Sequence, residues 1–188
     1  MTTQVQTRQK HTALEPTHGL MQWRYDLLSR VLHWIFALVI LYAIVVGYSL
    51  SHIRQTALRE ILSTLNMSLA TVLIPLFPVR LIWRHLRPPV LTIPGTSLQH
   101  GIARCVHDAL YITVGCVLAS GYLMVPGEYR FFWLLTIPTP LSHGKLVNAI
   151  FLIHRASCAI LAGLVALHVL AVLKHQCVTR IPFLNRMC

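Results

Sequence analysis

Three histidines, His154, His168 and His175, stand in "FLIHRASCAILAGLVALHVLAVLKH", residues 151 to 175, a segment otherwise apolar enough to live in lipid. An α-helix turns by about 100° per residue, so intervals of 14 and 7 residues fall about 40° and 20° short of whole turns. All three side chains therefore share one helix face. At about 1.5 Å per residue, the first two stand roughly 21 Å apart along the axis, most of a hydrocarbon core of about 30 Å. An imidazole at that depth is costly unless something satisfies it, which makes each of these residues a candidate site.

His33 adds a fourth, early in another apolar run, "VLHWIFALV". With both ends of the chain on one side of the membrane, His33 and His168 lie at similar depth. Two histidines on different helices at one depth suit a flat macrocycle whose iron accepts a nitrogen on each face, and haem b ligated by His33 and His168 is the simplest account. The plain alternative is that each histidine hydrogen-bonds a neighbouring helix. A metal transporter or a proton relay would want carboxylates beside the imidazoles, and the spans offer only Asp108, near an end.

The elements that must position these side chains follow from composition. The chain has 188 residues, 55% hydrophobic and 11% charged, with four runs long enough to cross a bilayer, so it reads as an integral membrane protein. The spans fall at roughly Val31 to Leu50, Leu58 to Trp83, Val106 to Val125 and Lys145 to Leu173. The expected fold class is an all-α transmembrane four-helix bundle with a haem between the first and fourth helices. Residues 1–26 form a polar tail, expected to be mobile up to about Gly19 and lacking a secretory cleavage pattern; residues 27–180 form the bundle and 181–188 a short second tail. Pro75 and Pro78 predict a kink rather than a break in the second span. "RPPVLTIPGTSLQHG" reads as a loop ordered only by docking, and "PGEYRFFWLLTIPTPLSHG" as a segment lying along the membrane surface, where Phe131, Phe132 and Trp133 suit the aromatic zone.

Eleven of the 16 Lys and Arg, among them Arg80, Arg84, Arg87 and Lys174, fall on the side of both termini, against five on the other. The positive-inside rule puts both termini in the cytoplasm. The net charge of +11 is thus mostly a topology signal, and no aromatic-plus-basic pattern calls for nucleic acid. Cys105, Cys116, Cys158, Cys177 and Cys188 have no CxxC or CxxCH spacing and read as reduced packing residues.

At "LHW" opening the first span, "VRLIWRHLRPP" closing the second, "HDALYITV" in the third, "WLLTIPTP" in the outer loop and the histidine series of the fourth, the chain resembles the bacterial cytochrome b561 family, which includes superoxide oxidases. The resemblance covers about Tyr25 to Phe183. It implies a multi-pass protein of the bacterial inner membrane, a bundle with two b haems each clamped by two histidines, and electron transfer from an outer donor, superoxide, to ubiquinone or a similar quinone. Carried over by position, one haem falls to His33 and His168 and the outer one to His154 plus a second-span ligand. That fourth position is Asn66, which is not a usual iron ligand. Three outcomes stay open: an outer haem held by His154 alone, one ligated by His52, Met67 or His143 instead, or no outer haem.

The resemblance also implies a quinone site at His175, with Lys174 beside it, although a snorkelling interfacial pair would look the same. Arg80 and Arg84 are candidates to hold haem propionates, or mark only the helix boundary. His107 and Asp108 read as a cap or interfacial contact first and a quinone-side proton group second. Arg130, Lys145 and Arg155 would attract a small anion such as superoxide. Two other functions remain in view: a single-haem electron-transfer subunit serving a redox partner protein, and a non-catalytic haem-binding membrane protein.

Overall fold

A computed structural model describes residues 24–87, 96–178 and Met187. Expectations for the polar tail up to Trp23, for 88–95 of the second connection and for the C-terminal tail apart from Met187 lie outside the described residues. The elements run α1 (Leu27–Ser49), α2 (Thr56–Leu86), α3 (Ser97–Leu123), β1 (Glu128–Phe131), β2 (Leu135–Pro138) and α4 (Lys145–Cys177). All four helices are long and apolar enough to cross a membrane, as the hydropathy of the sequence requires.

Each helix starts where the sequence supplies a cap or a break. Asp26 caps α1: its carboxylate accepts the Ser29 backbone N–H at 3.0 Å and the Ser29 hydroxyl at 2.6 Å. The same carboxylate accepts the Trp83 indole N–H from α2 at 2.8 Å, so one side chain fixes both a helix start and a helix pair. α3 begins nine residues before the expected span, at Ser97. Thr96 and Gln99 form a reciprocal capping box there, which nucleates a helix across residues that composition alone reads as loop. α2 runs unbroken through Pro75 and Pro78, both exposed on its outer surface.

The connection between α3 and α4 is a two-stranded antiparallel hairpin, with Glu128 opposite Pro138 and Phe131 opposite Leu135, and not simply a surface-lying segment. Its tip carries Phe132 and Trp133 at φ 47° and 62°, a backbone region that aromatic residues seldom adopt. Such a turn persists where its surroundings over-determine it. Here the Phe132 N–H donates to Ser68 Oγ at 2.8 Å, and Tyr129 Oη meets Thr71 Oγ1 at 2.7 Å, both on α2. Tyr122 of α3 donates to the Pro138 carbonyl at 3.0 Å.

α1 packs on α2, α2 on α3 and α3 on α4, whereas α1 and α4 scarcely touch among the described residues. Phe36, Leu73, Val114, Leu118 and Leu161 form the buried centre, and large residues such as Leu38, Val45, Ile112, Leu152 and Leu170 point outward, as lipid-facing positions do. Between helices in lipid there is little hydrophobic drive, so close packing of small residues takes over; Ser68, Thr113 and Ser120 are accordingly buried.

Burial raises the Asp26 pKa, but the hydrogen bonds from Ser29 and Trp83 outweigh it and hold the carboxyl below its ordinary 3.8. A lowered folded pKa means a stabilisation that is full above the unfolded value and fades as pH falls through the folded one. Asp26→Ala should therefore cost about 1 kcal/mol near neutrality. Thermal melts in detergent check this, with the difference from wild type shrinking below about pH 4.

Candidate functional site

At the end of the bundle where α1 begins, side chains from all four helices converge. Arg80 of α2 extends between the rings of Phe36 and Tyr111, 4.8 Å and 5.6 Å from their centroids. Its guanidinium donates to the Leu32 carbonyl at 3.3 Å, to Tyr111 Oη at 3.3 Å and to His33 Nδ1 at 3.2 Å. Arg84, one turn further on, lies over the Tyr111 ring, 4.7 Å from its centroid, and pairs with Asp108. Arg80 makes no such ion pair among the described residues. His107 of α3 stands edge-on to His168 of α4 with ring centroids 5.2 Å apart. His33 lies within electrostatic range of both.

Nine residues further along α1, α2 and α3, about 14 Å toward the hairpin, the same depth is occupied by Tyr42, Thr71 and Ser120. Ser120 meets His154 of α4, Oγ to Nδ1 at 3.1 Å. The Ser120 hydroxyl proton goes to the Cys116 carbonyl at 2.5 Å, so its oxygen accepts and His154 donates from Nδ1. The ring nitrogen Nε2 is then left with a lone pair, and Cys158 Sγ, one turn along α4, lies within hydrogen-bond reach of it at 3.4 Å. Gly121 makes the approach possible, since a Cβ there would meet His154 Cε1 at 3.2 Å.

Asn66, Leu73 and Arg80 recur every seven residues along one face of α2. Leu73 is in the buried core and Arg80 faces His33, so Asn66 points into the bundle as well. Its Oδ1 is buried and meets no hydrogen-bond partner among the described residues.

The remaining sequence candidates fall at the two ends. His52 and His143 are exposed at the hairpin end, and His52 Nδ1 is held by Tyr48 O and Ser51. Lys174 is exposed and His175 half-buried on the last turn of α4, next to the Arg84 end of the bundle. Asp108 is an ion-pair partner and His107 a neighbour of His168, contacts more specific than the cap expected of them. Cys105, Cys116, Cys158 and Cys177 are free thiols. Tyr111, Ser120 and Gly121 were not singled out in the sequence. Tyr111 lies within "HDALYITV" without a chemical signal of its own, and Ser120 and Gly121 belong to a run of small and hydroxyl residues that any packed membrane helix shows.

A family model described as prokaryotic cytochrome b561 matches residues 24–188. A search of curated proteins found no match.

The Arg84–Asp108 pair is partly exposed, where such pairs contribute about 1 kcal/mol or less. A double-mutant cycle with Arg84→Leu and Asp108→Asn should give a coupling of about that size, read from thermal unfolding in detergent.

Proposed function

With its family match running over most of the chain, the protein belongs to the prokaryotic cytochrome b561 family and is a multi-pass membrane b-type cytochrome of electron transfer, and we propose that it carries electrons from superoxide on the outer side to a membrane quinone on the cytoplasmic side. Two superoxide anions each give up one electron and leave as dioxygen; the quinone takes both electrons with two protons and becomes quinol. The cationic excess around the chain ends supports placing the α1 start in the cytoplasm of an inner-membrane protein.

The observation that carries this reading is that His33 and His168 lie at one end of the bundle, within electrostatic range of each other. They stand on α1 and α4, two helices with little packing against each other among the described residues. That donor set fits haem b, which supplies a one-electron couple when bound. His33 and His168 would hold its iron. Arg80, which has no carboxylate partner among the described residues, would hold its propionates, with Arg84 shared between them and Asp108. A guanidinium only donates, so its contact with His33 Nδ1 and iron ligation through Nε2 of a neutral ring exclude one another. Arg80 must therefore exchange His33 for the propionates. His175 and Lys174, two turns beyond His168, would bind the quinone and deliver its proton. At the other end Arg130, Lys145 and Arg155 would gather the anionic donor.

The substitution of an amide at Asn66 favours one second reading, a single-haem cytochrome that serves a redox partner protein and takes up no superoxide.

Purified protein should carry haem b by pyridine haemochrome, and His33→Ala and His168→Ala should each lose the absorbance of the haem they hold. Superoxide generated in the presence of a soluble quinone should reduce it in wild type, and His175→Ala should slow that reduction by about tenfold or more. Haem retained in both ligand variants would overturn the assignment; inertness toward superoxide with reduction by a co-purifying protein would select the second reading.

A further inference from the structure

We infer that iron at the hairpin end takes one protein ligand, His154, and that the face opposite it, toward Asn66, accepts a small exogenous diatomic ligand. This rests on the reading that the bundle holds haem b.

The tautomer is the first argument. A histidine binds iron through the nitrogen that carries a lone pair, and the hydrogen bond made by its other nitrogen decides which one that is. The chain His154 Nδ1–H to Ser120 Oγ, Ser120 Oγ–H to Cys116 O runs in one direction only, because the carbonyl cannot donate. It leaves Nε2 with its lone pair. The Nδ1 contact within α3 and α4 thus sets His154 as an Nε2 ligand and can persist on ligation, while Cys158 Sγ, 3.4 Å from Nε2, would give way to the iron. His33 is not so set, because Arg80 must first let go of it. Gly121 supports the same geometry by clearing the space beside Cε1.

The second argument concerns the opposite side. Asn66 shares the inward face of α2 with Leu73 and Arg80. It stands five residues beyond Thr71 toward the hairpin, about 7 Å off the His154 layer. His168 is displaced from the His33 layer by about one turn in the opposite sense, since its neighbour His107 precedes Tyr111 by four residues. Asn66 therefore lies within about two turns of His154 along the bundle axis, on the inward face of α2, and offers an amide where a second ligand from α2 would come. The amide nitrogen has no basic lone pair, and the buried Oδ1 is an acceptor without a partner among the described residues. Such a group binds iron poorly but suits a hydrogen bond to something bound there.

Substitutes are badly placed: Met67 points about 100° around α2 from Asn66 and so away from the Asn66–Leu73–Arg80 face. His52 and His143 are exposed at the bundle's end. Tyr42, whose buried hydroxyl also meets no partner among the described residues, lies two and a half turns from His33 and so on the opposite side of α1. Cys158 is on the His154 side of any iron, one turn along the same helix.

The test uses the full-length protein, reduced with dithionite and titrated with carbon monoxide beside a haemochrome count. Two haems per chain are expected, with a carbon monoxide difference spectrum accounting for about one of them. His154→Ala should lose that haem and its spectrum. Asn66→His should keep both haems and abolish carbon monoxide binding, converting the oxidised spectrum to fully low-spin. Ser120→Ala should keep the low-spin haem and alter only the high-spin signal. Two haems with no carbon monoxide binding, or one haem unchanged by His154→Ala, overturns the inference and leaves the His33 and His168 assignment standing. Protein purified without haem overturns both.

Discussion

Inside a bilayer a hydroxyl has no water to take its proton, so it donates to the carbonyl one turn back along its own helix. That local bond leaves the oxygen as a pure acceptor aimed at a neighbour. Ser68, Thr71 and Ser120 all do this, donating to Thr64 O, Met67 O and Cys116 O. What they then accept organises the hairpin end: the Phe132 N–H, the Tyr129 hydroxyl and His154 Nδ1. The hairpin is pinned to α2, and the imidazole is fixed in one tautomer, by the same device used three times.

The opposite end is organised by a cation. Arg80 sits well inside α2 with carbonyl, phenol, imidazole and ring faces around it, and no ion pair of its own among the described residues. Each contact is favourable, yet together they do not neutralise the charge. A dianionic cofactor edge would, which links the electrostatics of Arg80 to the space between α1 and α4. Arg84 faces no such demand because Asp108 reaches it across the α2–α3 contact.

These two arrangements set the histidines apart in character. His154 is held by a neutral relay at Nδ1 that leaves Nε2 its lone pair, beside Cys158 Sγ. His33 is held by a donor that blocks the ligating tautomer of a neutral ring. His168 is oriented by an edge-on imidazole. Ligation at His33 would thus require Arg80 to move, whereas the Ser120 contact of His154 is compatible with a free Nε2 lone pair.

The sequence by itself determined the four helices and the face on which His154, His168 and His175 lie, because apolar length and the 3.6-residue period are local properties of the chain. It also exposed Asn66 as the residue where an imidazole was expected. It did not reveal that α3 starts at Ser97, since the Thr96–Gln99 box sits behind a proline-rich stretch, nor the hairpin, whose turn is made by Phe132 and Trp133 and carries no glycine or asparagine signal. Only the tertiary structure decided the partners of the polar groups. That His33 meets Arg80, His168 meets His107 and His154 meets Ser120 depends on how α1 to α4 are registered against one another, and in lipid that register is set by close packing of small residues between helices rather than by any pattern within one.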